Sequence, residues 1–301
     1  MAKISTLSTL RSFITFLTRK LFLKVTNKIL HVCNTEYIAD FSSLPVSPLD
    51  AATRAPSCMV KVSVDVDKIR SLNLMAFSCG VDTAHPFAIT AREIMAGHCK
   101  SYKTSPLRDY YNNFQPSSAK DLLGLKIVNN DRLCALDASC VTFPWDKSFG
   151  NKIRRKRDKI SLLESKHSHF NVPANSGWLA IGPVSLEKGL FEFNRIFKLI
   201  ISLKSKGYKE SVCASDPMTG CLLIDGDDYA VVISSGEHRA ACLSAFGVKY
   251  VTVLIRKVVN RKSVATWPAV VKKDLTVGES LKIFDRVLNG NQPFSFYKYQ
   301  L

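Results

Sequence analysis

The stretch "YAVVISSGEHRAACLSAFGVKYVTVLI", Tyr229 to Ile255, decides how this chain is read. An apolar run rich in β-branched residues ends at Ser234-Ser235-Gly236. Glu237-His238-Arg239 follows at once, then a short pattern of small residues closed by Gly247, then a second apolar run. The pattern predicts a strand, a helix over Glu237–Ala245 and another strand. A Gly between a strand and a helix start lets backbone approach a ligand closely. The first N–H groups of a helix lack intrahelical partners and carry partial positive charge. Such an end takes phosphate or carboxylate. Arg239 adds a planar donor fork suited to phosphate oxygens. His238 can donate to an anion or relay a proton near neutral pH. Glu237 would stabilise the helix start, act as a base, or hold a metal that bridges phosphates. Ser235 and Gly236 belong to the same turn. Spacing alone leaves a second reading open, a charged first turn facing solvent.

Upstream, Leu190, Phe193, Ile196, Phe197, Ile200 and Leu203 recur at helical spacing, and Gly207 closes that helix. "GCLLIDGDDYAVVISSG" predicts a β-hairpin turning at Asp225–Asp228. Asp225, Asp227 and Asp228 therefore read as turn residues rather than metal ligands. With the strand over Lys249–Arg256, residues 176–257 form a compact α/β unit. Glu192 and Arg195 are three apart and share a helix face. They are either a local ion pair or a functional pair. In the second case Arg195 is a further phosphate ligand near Arg239, and Glu192 orients it or binds metal. Gly182-Pro183-Val184-Ser185 would add backbone N–H or hydroxyl contacts.

Gly236-Glu237-His238-Arg239-Ala240-Ala241, followed by Gly247 and the strand Tyr250–Leu254, resembles the ParB/sulfiredoxin-like (ParB N-terminal-like) nucleotide-binding domain. The resemblance runs from Gly182 to Arg256. It implies an α/β (α+β) fold with a small mixed sheet and flanking helices, and a helix start that receives nucleotide phosphates. Members include CTP-binding partition proteins, sulfiredoxins and free-serine kinases. Sulfiredoxins require a catalytic Cys between the Gly and the His of this motif. Glu237 stands there, so the resemblance does not extend to sulfinic-acid repair. Partition proteins continue into a helix-turn-helix domain, whereas only one clear helix, near Val277–Leu288, is read beyond Arg256. The kinase branch needs only the pocket, Mg²⁺ and an acidic base. "SPLRDYYNNFQPSSAKDLLGL" (Ser105–Leu125), Pro144-Trp145, "GPVS" (Gly182–Ser185), Glu192 with Arg195, and Thr266–Pro268 are similar to an uncharacterised bacterial family. Its members carry this module and belong to envelope-polysaccharide gene sets.

The remaining chain reads as three regions: residues 1–35, 36–175 and 258–301. Residues 1–35 hold no acid, and Leu10, Phe13, Ile14, Leu17 and Leu21 share one helical face. Arg19 and Lys20 interrupt the apolar run well before the roughly 20 residues that a membrane span needs. A basic amphipathic helix results, lying on an anionic membrane face or packing on the protein. Residues 36–175 predict an irregular, α-rich region. Pro45, Pro48 and Pro56 suggest a linker or extended strap, "MVKVSVDVDKI" (Met59–Ile69) a strand, and His85–His98 a helix. Ser117 and Ser118 are N-cap candidates for a helix over Ala119–Leu123 ending at Gly124. Six of the eight positions from Lys152 to Lys159 are basic. That run reads as a loop or helix face in solvent, or as a phosphate patch, with His167 and His169 beside it.

Composition bounds the rest. With 301 residues, 46% hydrophobic and 22% charged, the chain is an ordinary globular protein, not a disordered one. Lys and Arg outnumber Asp and Glu by 42 to 25, a net charge of +17. That excess favours polyanionic partners, namely nucleic acid, nucleotides, acidic glycans or an anionic membrane face, or else is a basic surface kept for solubility. The nine cysteines include no Cys-x-x-Cys pair, which argues against a zinc site and for reduced thiols in a cytoplasmic protein. The expected function is ATP or CTP binding, with Mg²⁺. Its chemical form would be phosphoryl transfer to a small molecule or glycan intermediate of surface-polysaccharide synthesis. The alternative is a non-enzymatic, nucleotide-sensing regulator or scaffold that contacts nucleic acid, membrane or a partner protein.

Overall fold

The computed structural model describes residues 37–56, 58–126, 131–147, 149–167, 171–173, 175–208 and 217–298. The expected amphipathic helix of residues 1–35 lies outside the described residues, as do His169 and the side chain of His167.

Seven strands make one mixed sheet: β1 (Ile38–Asp40), β2 (Met59–Asp65), β3 (Ile69–Ser71), β4 (Phe77–Ser78), β5 (Thr219–Asp225), β6 (Asp228–Ser235) and β7 (Tyr250–Asn260). The spatial order is β1-β2-β7-β5-β6-β3-β4. β5 and β6 form the expected hairpin across Gly226-Asp227, and β7 joins β5 in parallel. β2 then pairs antiparallel with the far edge of β7, and β3 pairs parallel with the far edge of β6. Four of the seven strands thus come from residues 36–175, where one strand was expected. That region is α-rich as expected, with six helices among the described residues, but its strands join the same sheet, which runs without a break across the boundary drawn at residue 176.

Alternation places the core. Val60, Val62 and Val64 of β2 are buried, with half-buried residues between them. In the central strands both faces are covered, so neighbours point into different cores. Leu222, Val231 and Ile233 join the cluster beneath one face, and Leu223, Ala230 and Val232 join the larger cluster above the other. The expected strand over Met59–Ile69 stops at Asp65. The Asp65 carboxylate accepts from the Asp67 N–H and starts a 3₁₀ turn that reverses the chain into β3.

The helices are α1 (Pro48–Arg54), α2 (Pro86–Met95), α3 (Pro106–Asn113), α4 (Ala119–Leu123), α5 (Asp131–Ala135), α6 (Asn151–His167), α7 (Leu186–Lys206), α8 (Glu237–Ala245), α9 (Pro268–Val271), α10 (Val277–Leu288) and α11 (Phe294–Tyr297). α4, α8 and α10 fall where the sequence places them, α4 and α10 set by side-chain caps and α8 by the glycine before it. Ser118 accepts from the Asp121 N–H, Gly124 takes φ 73°, and Thr276 with Glu279 forms a capping box. Two expectations fail. Pro48 is a helix-starting residue with Ser47 as N-cap, so the proline strap contains α1. The basic loop over 152–159 is the body of α6. Arg157 overrides the charge repulsion there. Its guanidinium lies 3.4 Å from the Trp178 ring centroid and donates to the carbonyls of Ser139 and Val141. Burial lowers its pKa to about 9.

The C-terminal extension closes the larger core. The Arg70 side chain, buried beneath β3, donates to the Val287 and Leu288 carbonyls that end α10. Arg286 of α10 returns a bond to the Leu74 carbonyl.

Candidate functional site

β6 delivers the chain to Gly236 at the sheet edge, where φ is 97°. A Cβ there would sit 2.6 Å from Met218 Cγ, so only glycine makes this turn without displacing its neighbour. α8 begins at the next residue with no side-chain cap on its first N–H groups. Its first turn points into a cleft of about 850 Å³. The walls come mainly from the end of β6 with α8, one face of α7, one face of α6, the segment from Thr142 to Lys147 and that from Gly177 to Leu179.

Arg195 and Arg239, far apart in sequence, line this same cleft, and both are half-buried. Lys147, Lys156 and Lys198 join them with exposed side chains. Asp146 and Glu237 are the acids of the lining. The site therefore carries a cationic excess within partly apolar walls that include Trp145, Trp178 and Leu199. Such a setting strengthens attraction for anions over that in bulk water.

Behind the first turn lies a buried charge cluster. Glu192 of α7 is fully buried. Lys188 Nζ lies 2.6 Å from one of its carboxylate oxygens and His238 Nε2 lies 2.7 Å from the other, with Arg195 at 3.8 Å. Burial alone would raise the Glu192 carboxyl. The hydrogen bond and charge of His238, and then the charges of Lys188 and Arg195, overcome it and hold the group at about 2. Glu192 is thus chiefly the anchor of His238 and Lys188, whereas Arg195, the residue it was expected to orient, lies further off at 3.8 Å. Glu192 faces cations rather than the cleft, and its assignment as a metal ligand is withdrawn. His238 stacks on Phe87 with ring centroids 4.6 Å apart. Lys188 Nζ also donates to Ser161 of α6 at 3.1 Å, tying that helix to α7.

Glu237 is held from the other side. Its Oε2 accepts from the Leu72 N–H and, at 3.0 Å, from the Ser71 hydroxyl. Leu72 and Asn73 have φ of 61° and 55°, a left-handed pair that turns successive N–H groups towards the carboxylate. Ser71 in turn faces His85 Nε2 at 3.2 Å. His85 Nδ1 accepts from the Phe87 N–H, so Nε2 carries the proton and donates to Ser71. Burial raises the Glu237 carboxyl to about 7, with the charge of Glu192 adding to the rise and the bonds from Leu72, Ser71 and Asn73 opposing it. Burial, then the charge of His238, lowers His85 to about 3. A carboxyl poised near neutrality at the start of a helix suits proton transfer.

Of the residues expected at the site, Ser235, Gly236, Glu237, His238, Arg239 and Arg195 line the cleft together. Gly182–Ser185 do not. The Gly182 N–H donates to the Phe114 carbonyl, and Ser185 caps α7 through the Lys188 N–H. Asp225 and Asp228 are the hairpin ends, as expected of turn residues. Ser71, His85, Lys198 and Asp146 were not anticipated, while Lys156 belongs to the basic run that reads as a solvated face or a phosphate patch. Only His85-Pro86, as an N-cap followed by a helix-starting proline, carried a local signal. Among the described residues no group of three or more His, Cys, Asp or Glu is placed to hold a metal ion. Nor is any described helix long and apolar enough to cross a membrane. The seven described cysteines are free thiols. Comparison with protein-family models, curated proteins and solved structures finds no match to this chain.

Proposed function

We propose that the cleft binds the phosphates of a nucleotide, ATP or CTP, and that Glu237 is the base for transfer of a phosphoryl group to an acceptor hydroxyl. One observation carries this reading. The uncapped start of α8, Arg239 and Arg195 converge on one cleft, with the carboxyl of Glu237 in its wall. The phosphates would lie against the α8 N–H groups, with the two arginines on their oxygens. The acceptor O–H attacks the terminal phosphorus, a new O–P bond forms, the bridging P–O bond breaks, and the proton passes to Glu237. Such transfer relies chiefly on positioning and charge neutralisation, which this residue set supplies. Magnesium brought by the nucleotide would neutralise phosphate charge, which leaves Glu237 to take the proton. The ParB/sulfiredoxin-like assignment of the sheet and turn belongs to the same proposal and rests on the resemblance at Gly236–Arg239. A glycan intermediate as acceptor rests on the separate resemblance of Ser105–Leu125, Pro144-Trp145, Gly182–Ser185, Glu192 with Arg195, and Thr266–Pro268.

Thermal shift with ATP and CTP, with and without Mg²⁺, tests binding, because a ligand of the folded state raises its melting temperature. Stabilisation by one of them should be lost in Arg239→Ala. Turnover should fall about a hundredfold or more in Glu237→Gln with binding retained. Binding without turnover over a panel of acceptor alcohols would replace the transferase by a nucleotide-sensing regulator. No nucleotide effect in the wild type would end both readings.

A further inference from the structure

α6 has a side that the cleft does not use. Ile153, Arg157 and Ser161 face inward, to the cleft, to Trp178 and to Lys188. On the outer side Lys152, Arg155 and Lys159 are followed by Leu162 and Leu163, then Lys166, each three or four residues from a neighbour on the same face, and so they share one stripe. All six are exposed. Leu162 keeps 39% of its surface in solvent and Leu163 keeps 47%. None of these four cations has an acidic partner among the described residues, and no position of the stripe holds an acid.

We propose that the outer face of α6 docks the protein on an anionic membrane surface, with its lysines and arginine against lipid headgroups and Leu162 and Leu163 in the interface. The cations find complementary charge there, and the leucines leave water. The pairing of the two features selects this partner. A nucleic-acid backbone would satisfy the cations but would leave both leucines in solvent, since phosphate contacts are polar. The docked helix also sets the location of the cleft. Lys156 belongs both to the cleft lining and to the exposed side of α6, so the cleft opens beside the bilayer surface. The inference stands on α6 alone and does not depend on the chemistry assigned to Glu237.

Flotation of the full chain with vesicles of phosphatidylglycerol and phosphatidylcholine, against vesicles of phosphatidylcholine alone, tests it. Two double variants are compared with the wild type: Arg155→Glu with Lys159→Glu, and Leu162→Ser with Leu163→Ser. All share residues 1–35, so binding through that segment is common to every sample. Exposed positions tolerate such changes, and an unchanged melting temperature checks that the fold is kept. The wild type should float with the anionic vesicles only, and each variant should bind them about tenfold more weakly or worse. Unchanged flotation of both variants would overturn the proposal. So would a serine variant that binds like the wild type, with a short nucleic-acid duplex displacing the protein from vesicles, an outcome that makes α6 a nucleic-acid surface.

Discussion

Glu237 and His85 act on opposite ends of one serine hydroxyl, and their titrations oppose each other in the stability of the fold. The Glu237 carboxyl rises from its ordinary 4.5 to about 7, so between these values the folded chain holds a proton that the unfolded chain has released. Stability therefore falls with rising pH over that window, by about 1.4 kcal/mol per unit. His85 drops from 6.5 to about 3, so across that interval the unfolded chain holds the extra proton and stability rises with pH by a similar slope. From about pH 4.5 to 6.5 the two contributions cancel. Glu237→Gln should unmask the His85 slope, giving a melting temperature that climbs with pH through this range relative to wild type. His85→Asn, which keeps a cap acceptor for the Phe87 N–H, should unmask the opposite slope up to about pH 7. Melting curves at half-unit steps read both, and parallel profiles for the three proteins would contradict the opposition. At this scale the motif Gly236–Arg239 was open to sequence reading, because helix-start chemistry is local. Its supports were not. Ser71 lies 166 residues from Glu237, and no periodicity joins a β3 serine to an α8 carboxylate.

Among the elements, the short α8 was read correctly because glycine brackets it, whereas for α6 a loop or a helix face stays open, because a run of like charges does not choose between them. Arg157 decides the second case through a contact outside the helix. Arg157→Ala should release α6 from Trp178, lower the melting temperature and raise hydrogen exchange across residues 151–167. Arg157→Lys should rescue little, since an ammonium cannot stack on the ring and donate to two carbonyls in one plane. Exchange mass spectrometry of that segment is the measurement, and equal protection in all three proteins would refute the anchoring role. The start of α8 depends on backbone shape instead. Gly236→Ala places a methyl 2.6 Å from Met218 Cγ at a φ of 97°, and should cost about 1–3 kcal/mol in a denaturant melt. A smaller loss would mean that the turn relaxes. The proline-rich segment 40–60 shows the same limit of local reading. Pro48 reads as a breaker until Ser47 is known to cap the helix that it begins.

For the whole molecule, the sheet determines what counts as a domain. Residues 176–257 contain the site motif, β5, β6 and all but the last three residues of β7, and their pattern suggests a self-contained unit. Yet β7 carries β2 on its outer edge, and β6 carries β3 on its own. Cut out alone, the segment would leave both edges unpaired, with a row of open N–H and C=O groups and buried valines turned to water. It would also lose the Ser71 and Leu72 donors that hold Glu237. The C-terminal helix adds a second tie, because Arg70 of β3 donates to the carbonyls that end α10. The first strands, the site motif and the last long helix therefore share buried bonds, and unfolding any one of them exposes the others. The full chain should melt in a single cooperative step, with calorimetric and van't Hoff enthalpies equal. The isolated segment 176–257 should show no cooperative transition and should aggregate through its open edges. Two resolved calorimetric transitions in the full chain, or a sharp melt of the isolated segment, would restore an independent nucleotide-binding domain. They would also make the strands before residue 80 an accessory of the fold rather than half of its sheet.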